Sequence, residues 1–208
     1  MEPALIPPKD TTELETAYTF ADNILNFDAT HPRNLQFYKN VYAKNPEYVL
    51  VFKPAGILEG VIFSSDQDTE TLLIGELAVS ETARGKGIGS KLLLAMEEVA
   101  RKHGKKEVLL GALGDAENFY IRHGYLPKLF VQVKGNDRLE EIAALSSALV
   151  MWKSTGDGYS KVVFDTGKID KELQNKFEEK LGAHTQFLFS KKIDYPQSNN
   201  ASSSSVSW

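Results

Sequence analysis

The sequence contains no cysteine, which excludes disulfides, thiolate metal sites and a cysteine nucleophile. It has no apolar run near the ~18 residues that a transmembrane helix requires. It also lacks a surplus of positive charge. Lys and Arg number 24 against 28 Asp and Glu, for a net charge of −4, and no basic block stands out. Neither bulk nucleic-acid binding nor a membrane surface is suggested. The N-terminus offers Glu2, Asp10 and prolines where a signal peptide would have a basic and then an apolar stretch. Two nucleotide-binding signatures are missing too. A G-x-G-x-x-G fingerprint on Gly85 and Gly87 would need a glycine where Ser90 stands, and no G-x-x-x-x-G-K-S/T run occurs. These absences lead us to expect a soluble, cytoplasmic protein with no metal and no nucleic-acid or membrane partner.

What is present is an ordinary globular composition, 42% hydrophobic over 208 residues, enough to bury a good core in one domain or two small ones. The chain is organised around residues 75–89, GELAVSETARGKGIG. Leu72 to Val79 reads as a buried strand, and Ser80 to Ala83 as a polar turn. Gly85, Gly87 and Gly89 follow at alternate positions, with Arg84 and Lys86 among them. A helical period begins at once with Leu92, Leu93, Met96, Val99 and Ala100. A strand, a glycine-rich turn and a helix together aim backbone N–H groups at an anion. The glycines permit close approach, and the helix dipole favours negative charge.

The run R-x-x-G-x-G, with Arg84, Gly87 and Gly89 in place, resembles the pyrophosphate loop of the GCN5-related N-acetyltransferase (GNAT) family. The resemblance implies that Arg84, Gly85, Lys86, Gly87, Ile88, Gly89 and Ser90 hold the pyrophosphate of acetyl-CoA. It also implies that Leu77, Ala78 and Val79 pair with the pantetheine arm. A second run, FYxxxGY at Phe119, Tyr120, Gly124 and Tyr125, resembles the family's segment below the thioester end of the cofactor. There Phe119 would pack against the cofactor and Tyr120 would donate the proton to the leaving thiolate. A phenol with a pKa of ~10 stays protonated at neutral pH and suits that task. Tyr120 also reads as a core aromatic. Glu76 is the candidate base on the strand, and it reads equally as a structural hydrogen-bonder. Strand alternation puts Glu76 and Leu77 on opposite faces. Where the family usually has an asparagine, this chain has Leu113.

The rest of the first 134 residues fits that resemblance. Thr11 or Thr12 can cap a first helix, with Glu15 at capping-box spacing from Thr12. A second helix runs through Leu35, Phe37, Tyr38, Val41 and Tyr42. In the resembling family these two helices wall the acceptor pocket, which makes Phe27, His31, Phe37 and Tyr38 substrate-side candidates. Tyr48–Phe52 and Leu58–Phe63 read as strands of an antiparallel meander that ends in the glycine loop. Glu107–Leu113 reads as a parallel strand after the crossover helix.

Residues 135–194 go beyond the resemblance. From Leu129 onward the order is strand, helix, strand, strand, helix, strand, the split βαβ or ferredoxin-like order. The strand over 129–134 is open to the transferase sheet, to this unit, or to both. The expected fold is therefore α+β. A GNAT-like, mostly antiparallel mixed sheet flanked by helices occupies 1–134, a ferredoxin-like unit occupies 135–194, and a tail over 195–208 has a disordered composition. The expected activity is acetyl-CoA-dependent transfer to a primary amine of a small molecule or peptide. A non-catalytic acyl-CoA-binding or protein-interaction module is the alternative, and homodimerisation stays open.

Overall fold

The computed structural model describes residues 5–25, 34–112 and 116–195. Phe27 and His31, two of the substrate-side candidates, lie outside the described residues, as do Leu113, Asp115 and residues 196–208. In chain order the elements are β1 (Leu5–Ile6), α1 (Thr11–Leu25), α2 (Leu35–Lys44), β2 (Val49–Phe52), β3 (Gly60–Asp66) and β4 (Thr71–Val79). Next come α3 (Ile88–Lys102), β5 (Glu107–Gly111), α4 (Glu117–Arg122), β6 (Leu126–Lys134) and α5 (Leu139–Ala144). β7 (Leu149–Gly156), β8 (Tyr159–Asp165), α6 (Lys171–Leu181) and β9 (His184–Lys192) complete it. All nine strands form one mixed sheet in the order β1-β2-β3-β4-β5-β9-β6-β8-β7. Only β4 and β5 pair in parallel, as a helical crossover requires.

The sheet separates two cores. On one face Leu14, Ala17, Ala21 and Tyr38 of α1 and α2 pack on Val49, Val51, Val61, Phe63 and Ala78. On the other, Leu92, Leu93 and Met96 of α3 join Leu50, Ile62, Leu72, Ile74, Val108 and Leu110, continuous with Tyr120, Ile142 and Phe177 of the later helices. Burial of these apolar faces, at roughly 25 cal/mol per Å², is the main stabilising term. Among the described residues no helix is long and apolar enough to cross a membrane.

The helix caps depart from expectation at one place. The Asp10 carboxylate accepts from Glu13 N at 2.9 Å, and the Glu13 carboxylate accepts from Lys9 N at 2.6 Å. Asp10 therefore caps α1, one residue ahead of the expected threonines, and Glu13 rather than Glu15 reaches back. Asp accepts an amide proton at least as well as Thr, so the earlier start wins.

The C-terminal segment builds no sheet of its own. β9 inserts between β5 and β6, pairing antiparallel with both, so the last strand is stitched into the centre of the sheet. β6 pairs β8, and β8 pairs β7, so β7 and β8 extend the far edge. The strand over 129–134 falls within β6, which pairs with β8 on one side and β9 on the other in this single sheet.

One irregularity positions the site. Phe63 pairs with Glu76 but Ser64 pairs with Ile74, so Gly75 is left over as a β-bulge. The bulge shifts the alternation by one: Leu72 and Ile74 face α3, and beyond it Leu77 and Val79 do. Glycine is required there because a Cβ on residue 75 would collide with the Tyr38 hydroxyl. Gly75→Ala is expected to lower stability by about 1–3 kcal/mol through overpacking. Thermal unfolding should then show a drop of roughly 2–10 °C. An unchanged midpoint would mean that Tyr38 moves aside freely.

Candidate active site

β4 and β5 pair from Thr71–Glu107 to Ile74–Leu110 and then part. Past the bulge, Leu77 to Val79 keep β3 on one side and have no strand partner on the other among the described residues. A strand edge with unused N–H and C=O groups can accept an extended ligand as if it were another strand. The edge leads into a short 3-10 turn at Glu81–Ala83 and then into the glycine loop.

The loop is built for close backbone approach. Gly85 and Gly87 both sit at φ 76°, and a Cβ at either would meet nothing within 4 Å. Glycine is needed at these two positions for the left-handed backbone itself, while their outer side stays open. Gly89 differs from the sequence-based reasoning. It is helical, and a Cβ there would make only ordinary contacts with Phe119 and Leu77. Intrahelical bonding in α3 begins with Lys91 N to Gly87 O at 3.1 Å. The amides of Ile88, Gly89 and Ser90 are therefore the helix's unpaired N-terminal donors, and they carry its positive dipole end.

These pieces meet in an open groove of about 520 Å³. Its walls include Leu77, Ala78 and Val79 from β4, Arg84, Gly85, Gly87, Ile88, Gly89 and Ser90 from the loop, and Phe119 and Tyr120 from α4. Ser90 of the loop and Phe119 of α4, which lie 29 residues apart in sequence, are thus brought to one cavity. The fold also contributes residues that local pattern did not reveal: Ile24 and Leu25 at the end of α1, Ala83, Ala116 and Arg122. Ile24 and Leu25 read as one more turn of an amphipathic helix, so no local signal marks them.

Tyr120 is 7% exposed at the floor of the groove. Its ring meets Phe119 edge-on at 5.1 Å and lies 6.0 Å from Tyr125. Burial disfavours the phenolate and pushes its pKa up to about 12. The hydroxyl therefore stays protonated at every physiological pH. His123, at the end of α4, bonds on both ring nitrogens: Nδ1 lies 2.8 Å from Phe119 O, and Nε2 lies 2.9 Å from Ser90 Oγ. It ties α4 to the first turn of α3.

Other candidates fall elsewhere. Lys86 is exposed on the loop and does not line the groove. Glu76 is buried, 6% exposed, on the α1–α2 side with Ala78, and so across β4 from Leu77. It is not among the groove's lining residues. Tyr38 is buried among Tyr18 and Phe63 above the bulge. Phe37, 44% exposed, lines a separate cavity of about 330 Å³ with Asn40, Lys44, Tyr48 and Asp66. Among the described residues no cluster of side chains suits a metal ion.

A splayed mixed sheet that opens onto a helix N-terminus places this chain among the α+β proteins, and comparison with known proteins specifies its fold. Residues 45–127 match the family model described as the acetyltransferase (GNAT) domain. That match takes in the bulge, the splay, the glycine loop and α4. A curated relative, Protein ElaA from Escherichia coli strain K12, is 39% identical over 67 residues. The alignment covers 32% of this chain and less than half, 44%, of that protein. Ard1 from Thermoplasma volcanium superimposes with a TM-score of 0.53 at 15% identity, over 94% of this chain and 100% of its own. The yncA protein of Salmonella typhimurium, solved with its cofactor acetyl-CoA, gives 0.52 at 14% identity over 97% and 99%. At such identities the structures establish a shared fold.

Proposed function

We propose that this protein is an acetyl-CoA-dependent N-acetyltransferase that moves the acetyl group directly to a primary amine of a small molecule or peptide. The observation that carries the reading is the continuity of the groove. Leu77, Ala78 and Val79 of β4, the first residues of α3 and Tyr120 all line this one cavity. That is the layout needed for a long ligand with a pyrophosphate at one end and a thioester at the other. The loop of Arg84 to Ser90 supports assignment of the pyrophosphate, and Leu77, Ala78 and Val79 support the pantetheine arm.

In the proposed reaction the amine nitrogen attacks the thioester carbonyl carbon, the C–N bond forms and the C–S bond breaks. The sulfur leaves with the electron pair and takes a proton. Amides of the β4 edge are suited to stabilise the carbonyl oxygen as charge develops. Tyr120 is assigned as donor to the sulfur. With a pKa near 12 it is a weak acid, and it acts best by hydrogen-bonding the thiolate as it forms. Consequently the alkaline limb of the rate should not report Tyr120. Activity should rise and then level off up to about pH 10, governed by loss of the amine's own proton. A downturn between about pH 9 and pH 10 that vanished in Tyr120→Phe would contradict the assignment.

Glu76 is assigned as the group that takes the amine's proton, directly or through water. Its position across β4 from Leu77 supports this: donor and acceptor would then stand on opposite sides of the strand that carries the thioester. We assign the transferase chemistry to residues 1–134 and a supporting role to 135–194. Release of free thiol from acetyl-CoA with a panel of amines and peptides tests the function. Binding of acetyl-CoA without thiol release on any acceptor would favour a non-catalytic acyl-CoA-binding module.

A further inference from the structure

His123 is the one imidazole among the described residues that touches a groove-lining side chain. Its Nδ1 faces a backbone carbonyl, Phe119 O, which can only accept, so Nδ1 carries the proton. In the neutral ring Nε2 must then accept, and the Ser90 hydroxyl donates to it across 2.9 Å. The Ser90 proton is thereby directed at the ring and not at a ligand. That orientation is wrong for an anion. A protonated ring would donate from both nitrogens, to Phe119 O and to Ser90 Oγ, and would free the hydroxyl proton to point at the ligand.

Resting on the reading that this groove takes the pyrophosphate of CoA, we infer that ligand binding takes up one proton at His123 and that Ser90 relays it as a hydrogen bond to the pyrophosphate. The proton comes from solvent, and no covalent bond changes. Two effects act in the same direction. The anion attracts the imidazolium charge, and charge-assisted hydrogen bonds are stronger than neutral ones. Affinity therefore rises as pH falls through the imidazole range.

The surrounding charges leave this role to His123. Arg122 beside it on α4, Arg84 and Lys86 on the loop, and Lys91 on α3 are side chains of types that do not change charge between about pH 5.5 and pH 8. Lys91 Nζ also turns to the Phe52 ring, 5.8 Å away. The nearby acids are engaged with cations: Glu117 of α4 with Lys171 at 2.9 Å, and Glu97 of α3 with Lys191 of β9 at 2.8 Å. Among the other histidines, His103 lies at the far end of α3 near Glu47, and His184 begins β9.

The probe is 3′-dephospho-CoA, whose pyrophosphate diester keeps its charge over this range and which lacks the titrating 3′-phosphate. Calorimetric titration in buffers of different ionisation enthalpy counts the protons taken up. Wild type should take up a fraction of a proton near neutral pH. It should also bind on the order of tenfold more tightly at about pH 5.5 than at about pH 8. His123→Gln keeps a neutral hydrogen-bonding side chain, and should bind with no proton uptake and a flat pH dependence. Ser90→Ala removes the relay and should lose most of the uptake while the amides still bind. Wild-type binding without proton uptake overturns the inference and leaves the groove reading intact. Undiminished uptake in either variant also overturns it. No binding at millimolar ligand at any pH overturns both.

Discussion

Gly87→Val should abolish acetyl-CoA binding while leaving the protein folded. Residue 87 sits at φ 76°, where a β-branched side chain is strained by about 1–3 kcal/mol. Nothing in the protein lies within 4 Å of the added Cβ, so the cost to folding is that strain alone, roughly 2–10 °C in the unfolding midpoint. The same open space is where the ligand must approach the α3 amides. Hydrogen bonds from amides to a charged acceptor contribute about 1.5–3 kcal/mol each, so blocking two of them costs at least about 100-fold in affinity. Arg84→Ala removes an exposed side chain and should cost only about two- to fivefold, and less at high salt. Isothermal titration of the two variants decides the order. Arg84→Ala proving the worse would mean that a side chain, not the backbone, holds the pyrophosphate.

Tyr120→Phe should lower turnover by about 10²–10⁴-fold, the usual range for loss of a proton-transfer group. The KM for acetyl-CoA should change little, because the ring keeps its packing against Phe119, Tyr125 and Phe189. Stability should change little or rise slightly, since a buried hydroxyl is removed. Steady-state kinetics with thiol detection reads both parameters. Wild-type turnover in this variant would reduce Tyr120 to a core aromatic and leave the sulfur's proton to water. A rise in KM with turnover unchanged would point to a binding role instead.

How much of this was legible depended on whether the information was local in the chain. The glycine loop and FYxxxGY are contiguous runs in which each residue type has a backbone or chemical reason, and the structure brings both to one groove. The bulge at Gly75 was not legible. A period-2 pattern cannot show a one-residue slip, and only the Tyr38 hydroxyl above it explains the glycine. The place of β9, between β5 and β6, was hidden for a similar reason: hydrophobic pattern marks a strand without naming its neighbours. The His123–Ser90 bond joins residues 33 apart and left no trace in sequence. Asp10 was missed as a cap because two threonines follow it and competed for the same role. Phe37 and Tyr38 show the limit of reasoning by segment. Adjacent on α2, one is exposed over a second cavity and the other buried over the bulge.

The central claim, that the groove from β4 to α3 binds acetyl-CoA, is tested most directly by thermal unfolding of the wild type and Gly87→Val with and without acetyl-CoA. At a ligand concentration 100 times Kd the wild type should gain about 2.7 kcal/mol, or roughly 5–11 °C, and the variant nothing. No wild-type shift at millimolar acetyl-CoA, or an equal shift in Gly87→Val, would contradict it.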